Sequence, residues 1–109
     1  AQIVALYRVL FQIRPTPVVE LNLAVARAMA EGHEVGLKGI EVILERGELR
    51  EYHLAHSARG ELLRRLGRYD EAREAFLEAL KLAEQTPEKS FLEKKIQNVD
   101  LKLSQSSTS

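Results

Sequence analysis

Cysteine is absent from the 109 residues. No disulfide framework and no thiolate metal site can form, and the composition suits a reducing cytoplasm, where the chain is expected to reside. A surplus of either charge is also missing, because 16 Lys and Arg balance 16 Asp and Glu. A dedicated nucleic-acid reader carries a basic excess, so direct nucleic-acid binding is not expected of this chain. No apolar run approaches the roughly 20 residues of a membrane span. The opening Ala1-Gln2-Ile3-Val4 lacks the basic lead-in of a signal peptide. No membrane partner is expected. The machinery of catalysis is missing as well: there is no Gly-rich phosphate loop, no nucleophile elbow and no Cys/His pair. Asp70-Glu71 and Glu74-Glu78 are paired carboxylates in sequence only. They fall on the polar face of an amphipathic helix, with no apolar pocket to push one pKa away from the other as acid–base work requires. Ser57 has no base motif beside it. The chain is not expected to be an enzyme, and no cofactor is expected.

What is present is helical periodicity. Apolar residues make up 45% of the chain, recur at spacings of three and four from end to end, and nowhere settle into a lasting β-type alternation. The first segment, Ile3 to Ile13, carries Ile3, Leu6, Tyr7, Leu10 and Phe11 on one stripe. Val4, Val9 and Ile13 widen it, which predicts a helix covered on two sides. Pro15 disfavours α geometry at Arg14; Thr16 then suits an N-cap and Pro17 the first helical position. The second segment, Pro17 to about Glu31, is rich in small residues, with Ala24, Ala26, Ala28 and Ala30. Small side chains let helix axes approach toward the short end of the usual ~8–10 Å. Gly32 ends it.

The third segment, about Val35 to Arg46, lines up Leu37, Ile40, Ile43 and Leu44, and stops at Gly47 before a polar connector, Glu48 to Glu51. The fourth runs from about Tyr52 to Leu66 and ends at Gly67. The fifth, about Tyr69 to Glu84, sets Tyr69, Ala72, Phe76, Ala79, Leu80 and Ala83 opposite a charged face. The last helix starts near Thr86-Pro87 and carries one narrow stripe of Leu92, Ile96, Val99 and Leu103. A one-faced terminal helix closes the open end of a helical stack. Residues 104–109 are a polar, Ser-rich tail with nothing to bury, expected to be disordered. The chain lacks an initial Met and enters a helical pattern at once, which reads as a fragment of a longer protein.

Two helix pairs match each other. Gly32 and Gly67 are 35 apart, while Gly36 and Ala72, Ile40 and Phe76, and Leu44 and Leu80 are each 36 apart. The tetratricopeptide (TPR) period is about 34 residues. The later unit is the sharper one: Gly60, Ala72 and Ala79 stand where the TPR pattern places small residues at the crossing of a pair. Gly60 lies inside a helix, where Gly costs ~1 kcal/mol relative to Ala, and close helix contact is the compensation. Pro87 comes three residues later than the pattern expects. The earlier unit is degenerate, with Gly36 where the pattern wants Ala. The fold expected is therefore all-α: about six antiparallel helices as stacked TPR-like hairpins, a right-handed α-solenoid with a C-terminal capping helix, forming one domain over residues 1–103.

Further runs are not part of the general TPR pattern. They are residues 15–26, Pro-Thr-Pro-Val-Val-Glu-Leu-Asn-Leu-Ala-Val-Ala, and residues 52–68, from Tyr52-His53-Leu54-Ala55-His56 to Gly67-Arg68. Together with Ile3-Val4-Ala5-Leu6-Tyr7 and Ser90-Phe91-Leu92-Glu93-Lys94-Lys95, they resemble the TPR-like C-terminal domain of one group of bacterial sigma factors, those of the extracytoplasmic-function (ECF) type. The resemblance spans residues 1–103. In that family the promoter-reading and polymerase-binding domains lie upstream. It implies a regulatory extension acting in transcription initiation through contact with its own sigma domains, core RNA polymerase or a signalling partner. The alternative is a free-standing TPR adaptor that binds a peptide in its concave groove. A third reading is a ligand- or metal-sensing helical domain.

The candidate contact residues are Asn22, Ser57, Glu61 and Arg64 on the first helices of their pairs, with Arg59 at the edge. An Asn amide there can clamp a peptide backbone with one donor and one acceptor; capping and ordinary surface chemistry explain the same residues equally well. Arg64, Arg65 and Arg68 form a basic cluster that suits a phosphate or an acidic peptide, or else a solvated helix end where cations meet the dipole. His53 and His56 are three apart on a helix, but two imidazoles are too few for a metal without a third ligand, and packing near the helix start accounts for them. No metal is expected.

Overall fold

The computed structural model describes residues 2–107. Six helices follow one another: α1 (Gln2–Ile13), α2 (Pro17–Glu31), α3 (His33–Glu45), α4 (His53–Arg65), α5 (Tyr69–Leu82) and α6 (Thr86–Ser107). No strand occurs among the described residues, and the architecture is the all-α helical repeat expected. Contacts gather into two compact units, residues 1–50 and 51–109.

In the first unit α2 packs against both α1 and α3. Its start is set by Thr16, which is extended (φ −89°, ψ 153°) and whose hydroxyl accepts from Val19 N at 3.2 Å, with Pro17 at the first helical position. One residue, Gly32, separates α2 from α3 at φ 121°, a backbone angle side chains resist; α3 therefore begins at His33, two residues before the periodicity starts. The core is Leu21, Ala24, Ala26 and Ala28 of α2 with Leu37, Ile40 and Ile43 of α3. The pair crosses very closely. A Cβ on Gly36 would lie 2.3 Å from that of Ala28 and 2.7 Å from the Ala24 carbonyl oxygen, so the residue that looks degenerate in sequence is the one this crossing requires. The expectation that α1 is covered on two sides is corrected. Val4 is its buried residue, while Ile3, Leu6, Val9, Leu10 and Ile13 face solvent in this unit, because α2 covers one side of the helix and the apolar stripe is wider than that.

In the second unit α4 and α5 form a hairpin, and α6 packs on α5. Phe76 is completely buried and lies against Gly60: a Cβ there would approach its ring to 2.8 Å. Ala72, Ala75 and Ala79 complete the α5 face with Ala55, Leu62 and Leu63 from α4. α6 buries Leu92, Ile96 and Val99. Thr86 is its first helical residue; the Gln85 carbonyl accepts from Lys89 N at 3.1 Å, and the Gln85 N–H donates to the Glu88 carboxylate at 3.3 Å. The polar tail expected from residue 104 begins inside this helix, which continues to Ser107; residues 108 and 109 lie outside the described ones.

Candidate functional site

The first helix of the later pair and the last helix of the chain form the two walls of a groove. Two side-chain pairs join them. Glu61 of α4 accepts from Lys95 Nζ of α6 at 3.1 Å, 34 residues away in sequence. His53 Nε2 lies 3.0 Å from Glu88 Oε2. Both pairs link a lower with a lower and a higher with a higher number, so α4 and α6 run in the same direction. That is the geometry of first helices in successive repeats, and the 34-residue offset equals the TPR period.

Between these pairs lie two adjoining hollows of about 280 and 250 Å³. The one nearer the helix starts is bordered by His53 and Glu88; the one further along is bordered by Glu61 and Lys95, with Phe76 of α5 at its floor. Leu54, Ser57 and Phe91 line both. Leu54 is 48% exposed and Phe91 53% exposed. The two walls thus bring two partly exposed apolar side chains to the same pair of hollows.

Glu61 organises the far end. Arg64 grips its carboxylate through Nε at 3.1 Å and Nη2 at 2.6 Å, and Arg65 Nε donates at 2.9 Å. Burial alone would push the Glu61 carboxyl up; the hydrogen bonds from Arg64, Arg65 and Lys95 overcome this and hold its pKa at about 2. Lys95 Nζ also sits 5.4 Å from the centre of the Phe91 ring, within cation–π range.

Of the residues singled out in the sequence, Ser57 and Glu61 line the groove, and Arg64 reaches it through Glu61. Arg59 is half-buried on α4 and lines neither hollow; its charge acts on Glu71 of α5. Asn22 belongs to the other unit. It is exposed and borders a hollow of about 430 Å³ between α1 and α2, with Tyr7, Val25, Ala26 and Met29 among its neighbours. Arg68, the third member of the basic cluster, turns to Glu71 at 2.8 and 3.0 Å. His53 packs its ring edge against Tyr52, and among the described residues no three His, Cys, Asp or Glu gather to hold a metal. The whole α6 wall (Glu88, Phe91 and Lys95) was missed as a contact surface by sequence reasoning. Its signal was the 34-residue offset to α4, masked because α6 was read only through its narrow apolar stripe of Leu92, Ile96, Val99 and Leu103.

Residues 53–86 match the tetratricopeptide repeat. The TPR match takes in α4, α5 and the first residue of α6, and repeats of this kind generally mediate binding to protein partners. Beyond the TPR, the chain is similar to "Uncharacterized protein R00370" of Rhizobium meliloti (strain 1021), with 44% identity over 87 residues, 80% of this chain. The matched stretch is 20% of that protein, so the chain spans about a fifth of the relative's length. No solved structure matches the chain. Among the described residues no helix is long and apolar enough to cross a membrane.

Proposed function

We propose that the chain works by binding a protein partner in the groove between α4 and α6, as the TPR-like C-terminal part of an ECF-type sigma factor. The observation that carries the binding role is the TPR match over residues 53–86, whose first helix presents Leu54 and Ser57 to an open hollow. The sigma-factor assignment rests on the resemblance of residues 1–103. In this reading residues 1–103 work as one extension that contacts the upstream sigma domains, core RNA polymerase or a signalling partner in the cytoplasm.

The test is a pull-down of the chain against separately produced sigma domains and core polymerase. Capture of either, lost on Phe91→Ser, supports the proposal. Capture of neither, together with unchanged transcription when residues 51–109 are deleted from the full-length protein, overturns it. Should the full-length protein contain no sigma domains, the chain is an adaptor, and the partner is sought through the groove alone. Ser57, Glu61 and Arg64 are the proposed contact residues of the groove; Asn22, beside the α1–α2 hollow, and Arg59, half-buried on α4, are proposed as separate contacts. Asn22→Ala combined with Arg64→Ala should leave folding intact and weaken transcription from the cognate promoter. If Glu74→Lys, on the polar face of α5, abolished transcription while the double change did not, the contact surface would be the outer face instead.

A further inference from the structure

The groove is uneven in charge along its length. At the end near the helix starts, Glu88 stands 3.0 Å from His53. In the middle the walls are Leu54, Phe91 and Leu92, with little polar surface between them. At the far end one carboxylate, Glu61, is shared by three cations, Arg64, Arg65 and Lys95. One negative charge against three positive ones leaves that end with an excess of two positive charges. The half-exposed side chains of Arg64 and Arg65 keep this excess near water, where it acts on an arriving ligand.

We infer that the partner's contact segment is an acidic–apolar peptide with a defined direction. This rests on the groove being the binding surface. One or two bulky apolar side chains fill the space between Leu54 and Phe91. An Asp or Glu a few residues along faces Arg64, Arg65 and Lys95. The reverse direction would bring the ligand's carboxylate against Glu88, so like-charge repulsion selects the orientation. Burial of the apolar side chains supplies most of the affinity. The carboxylate adds charge-assisted hydrogen bonds and register. A basic segment meets the excess positive charge and is refused. The chain as a whole is neutral, so this preference is local to the groove and invisible in the composition.

The experiment uses the chain and three labelled short peptides, read by fluorescence anisotropy. The first carries two leucines followed by two aspartates; the second has lysines in place of the aspartates; the third has serines in place of the leucines. Expected is saturable binding of the first, about tenfold or more weaker binding of the other two, and a loss of about tenfold on Arg65→Glu. Raising NaCl from about 0.05 to about 0.5 M should weaken the first peptide, because the contact is solvent-screened. Lys95→Gln is the second charge variant, for the case that Arg65→Glu perturbs folding; thermal melts monitor both. Equal binding of the acidic and basic peptides, or no effect of either charge variant, overturns the acidic preference. If Phe91→Ser still abolishes partner capture in that case, the groove remains the binding surface and only the ligand chemistry is wrong. If no peptide binds and Phe91→Ser leaves partner capture intact, both the inference and the groove reading fail.

Discussion

Gly60 and Gly36 each stand where a methyl group has no room. At Gly60 the obstacle is the Phe76 ring at 2.8 Å; at Gly36 it is the Ala28 side chain at 2.3 Å and backbone of α2. The ring at Gly60 can shift, whereas the backbone at Gly36 cannot follow without opening the pair. Gly60→Leu or Ala72→Leu should destabilise the protein by ~1–3 kcal/mol or more through overpacking, read as a lowered melting temperature; unchanged melting of both would remove the repeat alignment. Glu61 gives a pH prediction. Its pKa is lowered from 4.5 to about 2, so its contribution to stability is complete above pH 4.5 and is lost as pH falls from 4.5 toward 2. Over that window Glu61→Gln should lose less melting temperature than the unaltered chain. Equal losses would mean that the cluster with Arg64, Arg65 and Lys95 does not hold in solution.

α6 does two things at the scale of the element. Its buried Leu92, Ile96 and Val99 cover α5, and its exposed Phe91 with Lys95 makes one wall of the groove. Fully burying one such aliphatic side chain is worth ~1.5–3 kcal/mol. Truncation after Ala83 should therefore lower the melting temperature or cause association, seen by light scattering, and should abolish peptide binding. A truncated chain that stays monomeric with unchanged melting would show that α6 does not cover the core. Helix identity was legible throughout the sequence, from the Thr16-Pro17 start to the Gly32 and Gly67 stops. Helix ends were legible only to within a few residues. At α3 the reason is the one-residue link. At the end of α6 it is that Ser and Gln extend a helix already formed on a buried face, where composition by itself predicts disorder.

For the whole molecule, neutrality is the property with the broadest consequence. With 16 positive and 16 negative side chains, the chain has no surplus with which to release counterions from a phosphate backbone. It should show no sequence-dependent promoter binding at physiological salt in a gel-shift assay. Specific shifts by the chain alone would mean that it reads DNA directly and would displace protein contact as its mode of action. Core contacts divide the chain near residue 50, so the groove of residues 51–109 and the hollow beside Asn22 can be altered separately, and their effects on partner capture compared.

The sequence by itself determined the helical class, the six elements and the close crossing at Gly60, because periodicity, glycine punctuation and small-residue spacing are local signals that the backbone must obey. It also determined that Ser57, Glu61 and Arg64 share a helix face. Only the tertiary structure decided which wall faces them. The pairing of Glu61 with Lys95 and of His53 with Glu88 brings together residues from helices that are not neighbours in sequence, and no propensity encodes such a meeting. Tertiary packing likewise turned Phe91 out of the core and kept Leu92 in it: on a helix adjacent positions point in different directions, and the placement of α6 on α5 chooses which one is buried.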